Sequence, residues 1–186
     1  MATATQMING VDVDRLGMTI DAMKQNPELA LFQFRGESRW ESGARCTTTF
    51  ESFYGAGTEN QHRRKHVLEG DEPDILLGVD SGPNAVETLL GSLASCLAVG
   101  YAYNAAARGI PIEVLLFQVE GNLDLQAFLG LSNTKRPGYE SIRVEYQVTS
   151  PAPRDELLEL CDYVQKTSPV FDMITNKVPV SVELTA

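Results

Sequence analysis

The sequence predicts an α+β domain in which antiparallel β-sheets surround one long central helix, and three features of the pattern support this fold class. Residues 85–108 predict a single helix, which Gly109 and Pro111 end. Strand candidates with alternating apolar and polar residues precede and follow this helix. An amphipathic helix and a closing strand complete the chain. This order is typical of helices packed on one side of antiparallel sheets.

The first part of the chain predicts a helix followed by a β-hairpin. Apolar residues at helical spacing predict a helix within residues 11–25, and Asn26-Pro27 ends it because the residue before proline avoids the helical region. Residues 29–40 and 45–53 alternate on either side of a turn at residues 41–43. Two alternating segments joined by a short turn predict a hairpin.

The remaining elements are shorter. Residues 54–64 (YGAGTENQHRR) predict a polar loop, and residues 125–139 predict a long loop with a helical turn. Pro153 opens an amphipathic helix, and Ser168-Pro169 predicts the start of another short one. Further strands are predicted at residues 66–69, 75–79, 112–124, 141–149 and 178–184.

Composition and charge exclude several classes of partner. The 186 residues include 15 Lys and Arg against 25 Asp and Glu, and the net charge of -10 repels nucleic-acid phosphates and anionic membrane surfaces. We therefore expect neither nucleic acid nor a membrane as a partner. Three cysteines, without a C-x-x-C pair, indicate the reducing cytoplasm rather than a secreted disulfide scaffold. The first 20 residues lack the basic and apolar regions of a signal peptide.

The uncharged stretch from Leu89 to Ala107 has about the length of a membrane span. Gly, Ser and Asn residues interrupt it, so we interpret it as a buried central helix. Small side chains recur along it at every fourth residue and allow another backbone to approach closely; they are Ala94, Ala98, Ala102 and Ala106. Because the helix is apolar on more than one face, pairing with the same helix of a second copy would complete its burial.

Cys96 lies on this helix, and the residues alone leave its role open. It is twelve residues from Asn84, the candidate N-cap, whereas the helix dipole acts only within the first turn. A reactive thiolate there needs a cation from elsewhere in the fold, but a free cysteine is also an ordinary small core residue. His62 and His66 lie among basic residues without a third ligand at suitable spacing, so we expect no metal site.

Two segments carry a resemblance to a known family. The segment GPNAVETLLGSLASCLAVGYAYNAAARGI, followed much later by TSPVFDMITNKVPVSVEL, resembles the OsmC/Ohr family of thiol-dependent hydroperoxide reductases. The resemblance extends from about Phe32 to Leu184. It implies an OsmC-like fold and an intertwined homodimer with two active sites at the subunit interface. We therefore expect an N-terminal helical segment over residues 1–28 and an OsmC-like domain over residues 29–186.

The resemblance also implies roles for individual residues. Cys96 matches the peroxidatic cysteine, whose thiolate attacks a peroxide and becomes a sulfenic acid. Arg45 matches the arginine at the start of the second strand, and a fixed guanidinium there could hold Cys96 as a thiolate. Without the resemblance, Arg45 is an exposed hairpin charge. Glu87 matches the glutamate at the helix start that partners this arginine.

The chain departs from the family pattern at two of these positions. Ser168 occupies the position of the resolving cysteine, and a hydroxyl cannot form a disulfide with a sulfenic acid. Ser168 before a proline is also an ordinary helix start. Glu87 lies nine residues before Cys96 instead of ten, and nine steps of about 100° place the two residues on opposite faces of a straight helix. Asn84-x-x-Glu87 also fits a capping box. Cys161, on the apolar face of its helix, fits the core better than a displaced resolving role.

Two functions of different classes agree with these observations. The first is a thiol-dependent redox protein in which Cys96 reduces an organic hydroperoxide and an external thiol regenerates it. The second is a noncatalytic OsmC-like dimer that binds an apolar small molecule or acts as a thiol redox sensor. Neither function requires a cofactor. The sequence leaves open whether the protein is an enzyme, and it identifies neither the peroxide nor the reductant.

Overall fold

The computed structural model describes residues 6–185, which divide into two compact units. The first unit comprises Asp12–Leu89, and the second comprises Gln6–Val11 together with residues 90–185. The long helix begins in the first unit and continues into the second. The boundary that the sequence predicts between an N-terminal helical segment (residues 1–28) and the rest of the chain (residues 29–186) stays a prediction.

The amino-terminal elements are short. Strands β1 (Met7–Ile8) and β2 (Val11–Asp12) flank a turn and precede helix α1 (Val13–Gln25). Asp12 caps α1 by accepting a hydrogen bond from the backbone N–H of Arg15 at 2.9 Å. This confirms the predicted helix, and the backbone leaves it at Asn26, before the proline.

The first unit contains a four-stranded antiparallel sheet. Its strands are β3 (Gln33–Phe34), β4 (Glu37–Ser42), β5 (Arg45–Gly55) and β6 (Thr58–Gly70), and β5 pairs with each of the other three. The β4–β5 pair confirms the predicted hairpin, although residues 27–30 form a 3-10 turn instead of beginning a strand. The sheet is therefore larger than the sequence indicates.

The predicted polar loop at residues 54–64 is wrong, because most of this segment belongs to β5 and β6. Ala56 and Gly57 form the two-residue turn between these strands, and both have positive φ, +53° and +81°. Such turns match the twist of a hairpin. Many residues of β6 are polar and exposed, so the apolar pattern of the sequence does not reveal this strand.

The predicted strand at residues 75–79 is also wrong. This segment is a loop with a 3-10 turn at Asp74–Leu76, and it is organised by the buried carboxylate of Asp71, which is 3% exposed. That carboxylate accepts hydrogen bonds from the backbone N–H groups of Glu72, Val79 and Ser81 and from the Ser81 hydroxyl. The Ser81 N–H is the main cause that lowers the pKa of Asp71 to about 2, against the opposing effect of burial.

Helix α2 (Ala85–Ala107) continues into the second unit. Gly109 follows its last turn, and the φ of +73° at this position suits a glycine after a helix. It is followed by β7 (Val114–Asn122) and β8 (Ser141–Thr149), which pair antiparallel along their whole length. Helices α3 (Arg154–Thr167) and α4 (Pro169–Thr175) complete the unit. These elements confirm the sequence prediction for this part of the chain, including the long loop between β7 and β8.

The core of the second unit lies between α2, α3 and the inward face of the β7–β8 pair. Alternate residues of both strands pack against it, as the alternation predicts. The buried core residues are Leu93, Leu97, Tyr101, Ala105, Ile110, Leu160 and Val164.

One face of α2 is buried, and the remainder is open in a single chain. By length and composition alone the helix could span a membrane, and only 17% of its most apolar 18-residue stretch is buried. Val99 and Tyr103, one turn apart, are both at least half exposed. The expected burial of the helix is therefore incomplete without a further partner.

The predicted closing strand at residues 178–184 does not form in the single chain. The segment is neither helix nor strand, and no strand within residues 6–185 pairs with it. Four apolar side chains alternate along it and are exposed: Val178, Val180, Val182 and Leu184. The alternation that predicts a strand is present, and the hydrogen-bonding neighbour that a strand requires is not among the described residues.

Replacing Asp71 by Asn should destabilise the protein in a pH-dependent way. The lowered pKa means that Asp71 stays ionised in the folded state down to about pH 2, while the unfolded chain takes up this proton near its ordinary pKa of about 3.9. Its stabilising contribution is therefore complete above about pH 4 and is lost as the pH falls towards 2. Urea unfolding at several pH values measures this.

The difference in unfolding midpoint between wild type and Asp71→Asn should shrink as the pH falls through this window. Asp74→Asn, which changes an exposed carboxylate of the same loop, is the matched control and should show little difference from wild type at any pH. A wild-type minus Asp71→Asn difference that is independent of pH would contradict the assignment.

Candidate active site

Cys96 lies in the middle of α2, at the border between the buried and the open face of the helix. Its side chain is half-buried. Leu93 and Leu97, its neighbours on the core side, are almost completely buried, whereas Val99 on the open side is exposed. The sulfur therefore sits on a rigid element with an apolar surface beside it.

Helix α3 packs closely against the same part of α2. A Cβ atom at Gly100 would lie only 3.2 Å from Cγ1 of Val164, so glycine permits this approach. About two turns further along α3 towards its start, the hydroxyl of buried Tyr101 donates a hydrogen bond to the carbonyl oxygen of Leu157 at 3.1 Å. Burial raises the pKa of Tyr101, which keeps this donor protonated. These two contacts fix where α3 ends relative to Cys96.

Ser168 lies at that end, between α3 and α4, and its side chain reaches Cys96. Its hydroxyl donates a hydrogen bond to Sγ of Cys96 at 3.2 Å and accepts one from the backbone N–H of Phe171 at 3.2 Å. Ser168 is 5% exposed. The second bond makes Ser168 the N-cap of α4, which confirms the predicted helix start. The hydrogen bond to Cys96 places the same hydroxyl next to the sulfur.

Glu87 forms the capping box that the sequence predicts. Its backbone N–H donates to Oδ1 of Asn84 at 2.8 Å, and its carboxylate accepts from the backbone N–H of Asn84 at 3.0 Å. The carboxylate thus stabilises the start of α2. Glu87 belongs to the first unit.

Arg45 is exposed at the first position of β5, also in the first unit. Within residues 6–185 it takes part in no recorded ion pair. Its guanidinium is therefore uncommitted by the described acidic side chains. That Arg45 activates Cys96 stays a prediction, whereas the pairing of Cys96 with Ser168 is observed.

The chain matches the family of OsmC-like proteins over residues 78–183, which is more than half of its length. It belongs to this family. The match contains Cys96, Ser168 and Glu87, while Arg45 lies before it. The resemblance seen in the sequence is thus confirmed at the level of the family.

Solved structures agree with this membership in fold. An OsmC-like protein from Mycoplasma pneumoniae has a TM-score of 0.60 and 19% identity, with 78% of this chain and 89% of that chain covered. An organic hydroperoxide resistance protein OsmC from Legionella pneumophila has a TM-score of 0.53 and 16% identity, covering 78% and 90%. An OsmC-like protein of unknown function from Vibrio cholerae has a TM-score of 0.55 and 13% identity, covering 75% and 92%. No curated protein matches the chain.

The other two cysteines of this OsmC-like chain have different surroundings. Cys161 packs against the core of the second unit, and Nε2 of Gln165 donates to its sulfur at 3.4 Å. Burial raises the pKa of the Cys161 thiol, which favours the unreactive protonated form. Cys46 is half-buried on β5 opposite Gly70, and all three cysteines are free. These surroundings support the interpretation of Cys161 as a core residue.

His62 and His66 lie on β6, with their ring centroids 4.7 Å apart. Within the described part of the chain, no cluster of three or more His, Cys, Asp or Glu residues could hold a metal ion.

Replacing Ser168 by Cys should create a disulfide with Cys96 under mild oxidation. The hydroxyl and the sulfur are 3.2 Å apart, so a sulfur in place of the oxygen needs to approach by only about 1 Å to reach the bond length of about 2.0 Å. Non-reducing peptide mapping by mass spectrometry measures the cross-link. It should be absent from Ser168→Cys combined with Cys96→Ser; a cross-link between the new cysteine and Cys161 would contradict the geometry.

Proposed function

We propose that this protein reduces organic hydroperoxides in a thiol-dependent reaction, with Cys96 as the reacting group. The observation that supports this most directly is the half-buried Cys96 sulfur on α2, which accepts a hydrogen bond from Ser168, the residue at the family's second cysteine position. Membership of the OsmC-like family, and the similarity in fold to the organic hydroperoxide resistance protein OsmC from Legionella pneumophila, support this reaction class.

The reaction consists of one oxidation and one reduction of the sulfur. The Cys96 thiolate attacks the terminal peroxide oxygen, the O–O bond breaks, and the alkoxide leaves and takes a proton from solvent to become an alcohol. Cys96 is then a sulfenic acid. A thiol from solution forms a mixed disulfide with it and releases water, and a second thiol restores the Cys96 thiol and leaves as a disulfide.

The apolar surface next to Cys96 favours an organic peroxide over hydrogen peroxide. Val99 is exposed one turn from the sulfur, and Tyr103 lies one turn beyond it on the same face. An alkyl or aryl group loses contact with water when it packs there, whereas hydrogen peroxide gains nothing from it. The same surface supports the second candidate function, binding of an apolar molecule without turnover.

In this proposal Arg45 holds Cys96 as a thiolate from across the subunit interface of a homodimer. The exposed face of α2 and the unpaired segment at residues 178–184 both present apolar groups that a second copy would cover. Arg45 has no recorded acidic partner within residues 6–185 and is available to a thiolate. The three free cysteines agree with a reducing cytoplasm as the location.

Cys96→Ser should abolish turnover of cumene hydroperoxide in the presence of a dithiol, because a hydroxyl does not form the sulfenic acid. Arg45→Ala should lower the rate by about tenfold or more, since loss of an adjacent cation disfavours the thiolate. The assay follows peroxide consumption at constant dithiol concentration. Cys161→Ser and Cys46→Ser serve as controls and should keep the activity; absence of turnover in the wild type would favour the noncatalytic function.

Val99→Asp should convert the dimer into a monomer, because it places a charge on the open face of α2. Leu158→Asp is the matched control: Leu158 is similarly exposed on α3, and this change should leave the dimer intact. Sedimentation velocity measures the mass. A wild-type protein that sediments as a monomer at micromolar concentration would contradict the homodimer.

A further inference from the structure

The Ser168 hydroxyl has one hydrogen and two lone pairs, and the structure assigns a partner on each side. The backbone N–H of Phe171 donates to its oxygen at 3.2 Å. Sγ of Cys96 lies 3.2 Å away and accepts its hydrogen. The N-cap bond therefore fixes the side chain in the position from which its only hydrogen points at the sulfur.

We propose that Ser168 is the positioning residue of Cys96, which stabilises the sulfur by a hydrogen bond both as a thiolate and as a sulfenic acid, while being unable to form a disulfide with it. This inference rests on the proposed peroxidase function. A hydroxyl donor stabilises an anionic sulfur more than a neutral thiol, because hydrogen bonds to charged acceptors are the stronger ones. Ser168 thus assists formation of the thiolate before the peroxide arrives.

The same hydrogen bond acts again after oxidation. Attack on the peroxide leaves Cys96 as a sulfenic acid, and the Ser168 hydroxyl can donate to its oxygen or its sulfur. A cysteine at this position would expel water from the sulfenic acid and form a disulfide within the chain. Ser168 carries out no such step, so the sulfenic acid persists until an external thiol forms the mixed disulfide and releases the water. The reductant therefore meets an oxidised Cys96 and no internal disulfide.

Burial keeps this donor effective. Ser168 is 5% exposed, so water does not compete readily for its hydroxyl. Its neighbour Thr167 offers a contrast: this residue is exposed, and its hydroxyl donates to the carbonyl oxygen of Tyr163 at 2.9 Å. Thr167 is thus a matched control, a hydroxyl one residue away that is bonded elsewhere.

The test compares wild type with four variants for the rate at which iodoacetamide alkylates Cys96 between pH 5 and 10. Ser168→Gly removes the hydroxyl but disturbs the helix start little, because glycine is a tolerated N-cap. It should lower the rate near neutral pH by about tenfold and shift the profile to higher pH. Ser168→Thr should restore the wild-type profile, and Thr167→Ala should leave it unchanged. Ser168→Ala provides a second hydroxyl deletion if the glycine variant folds poorly.

Dimedone trapping after one equivalent of cumene hydroperoxide measures the lifetime of the sulfenic acid. Wild type and Ser168→Thr should accumulate the adduct on Cys96, and Ser168→Cys should not. Equal alkylation profiles for wild type, Ser168→Gly and Ser168→Ala would overturn the positioning role. A changed alkylation profile together with no dimedone adduct in the wild type would instead overturn the peroxidase function and leave the hydrogen bond to the thiolate supported.

Discussion

The candidate site depends on how closely α3 approaches α2. Gly100 of α2 allows Val164 of α3 to approach closely, and the hydroxyl of Tyr101 donates a hydrogen bond to the carbonyl of Leu157 about two turns earlier on α3. Because α3 is a regular helix, these contacts in its first and last turns determine where it ends. Ser168 follows directly, and it arrives at the sulfur of Cys96, 72 residues earlier in the chain. The position of one hydroxyl is thus a product of helix packing.

This packing also explains why Ser168 serves structure and chemistry together. A helix start needs a side-chain oxygen that accepts a backbone N–H, and serine supplies it. Serine differs from other good N-cap residues such as aspartate because it also has a hydrogen to donate. A carboxylate would cap α4 equally well but would place negative charge beside the sulfur. The combination of cap and donor therefore favours a hydroxyl at this position.

Local patterns allowed much of the fold to be predicted. The β4–β5 hairpin, α2 and the capping box of Glu87 each follow from residues close in sequence. The strand predicted at residues 66–69 is part of β6, but the first half of β6 escaped prediction because its side chains are mostly polar and exposed. The Asp71 loop did so because its hydrogen bonds carry no periodic signal. The contact between Ser168 and Cys96 is nonlocal, so the resemblance could align Ser168 with a functional position but could not supply the distance.

The unpaired segment at residues 178–184 has a consequence for the behaviour of the single chain. Its alternating valines and its unpaired backbone form a ready template for intermolecular β-structure, and it contains a single proline, Pro179, and one charged residue, Glu183, to oppose this. As long as this segment stays unpaired, it makes the chain prone to aggregation. A neighbouring strand that supplied the missing backbone hydrogen bonds would remove this template.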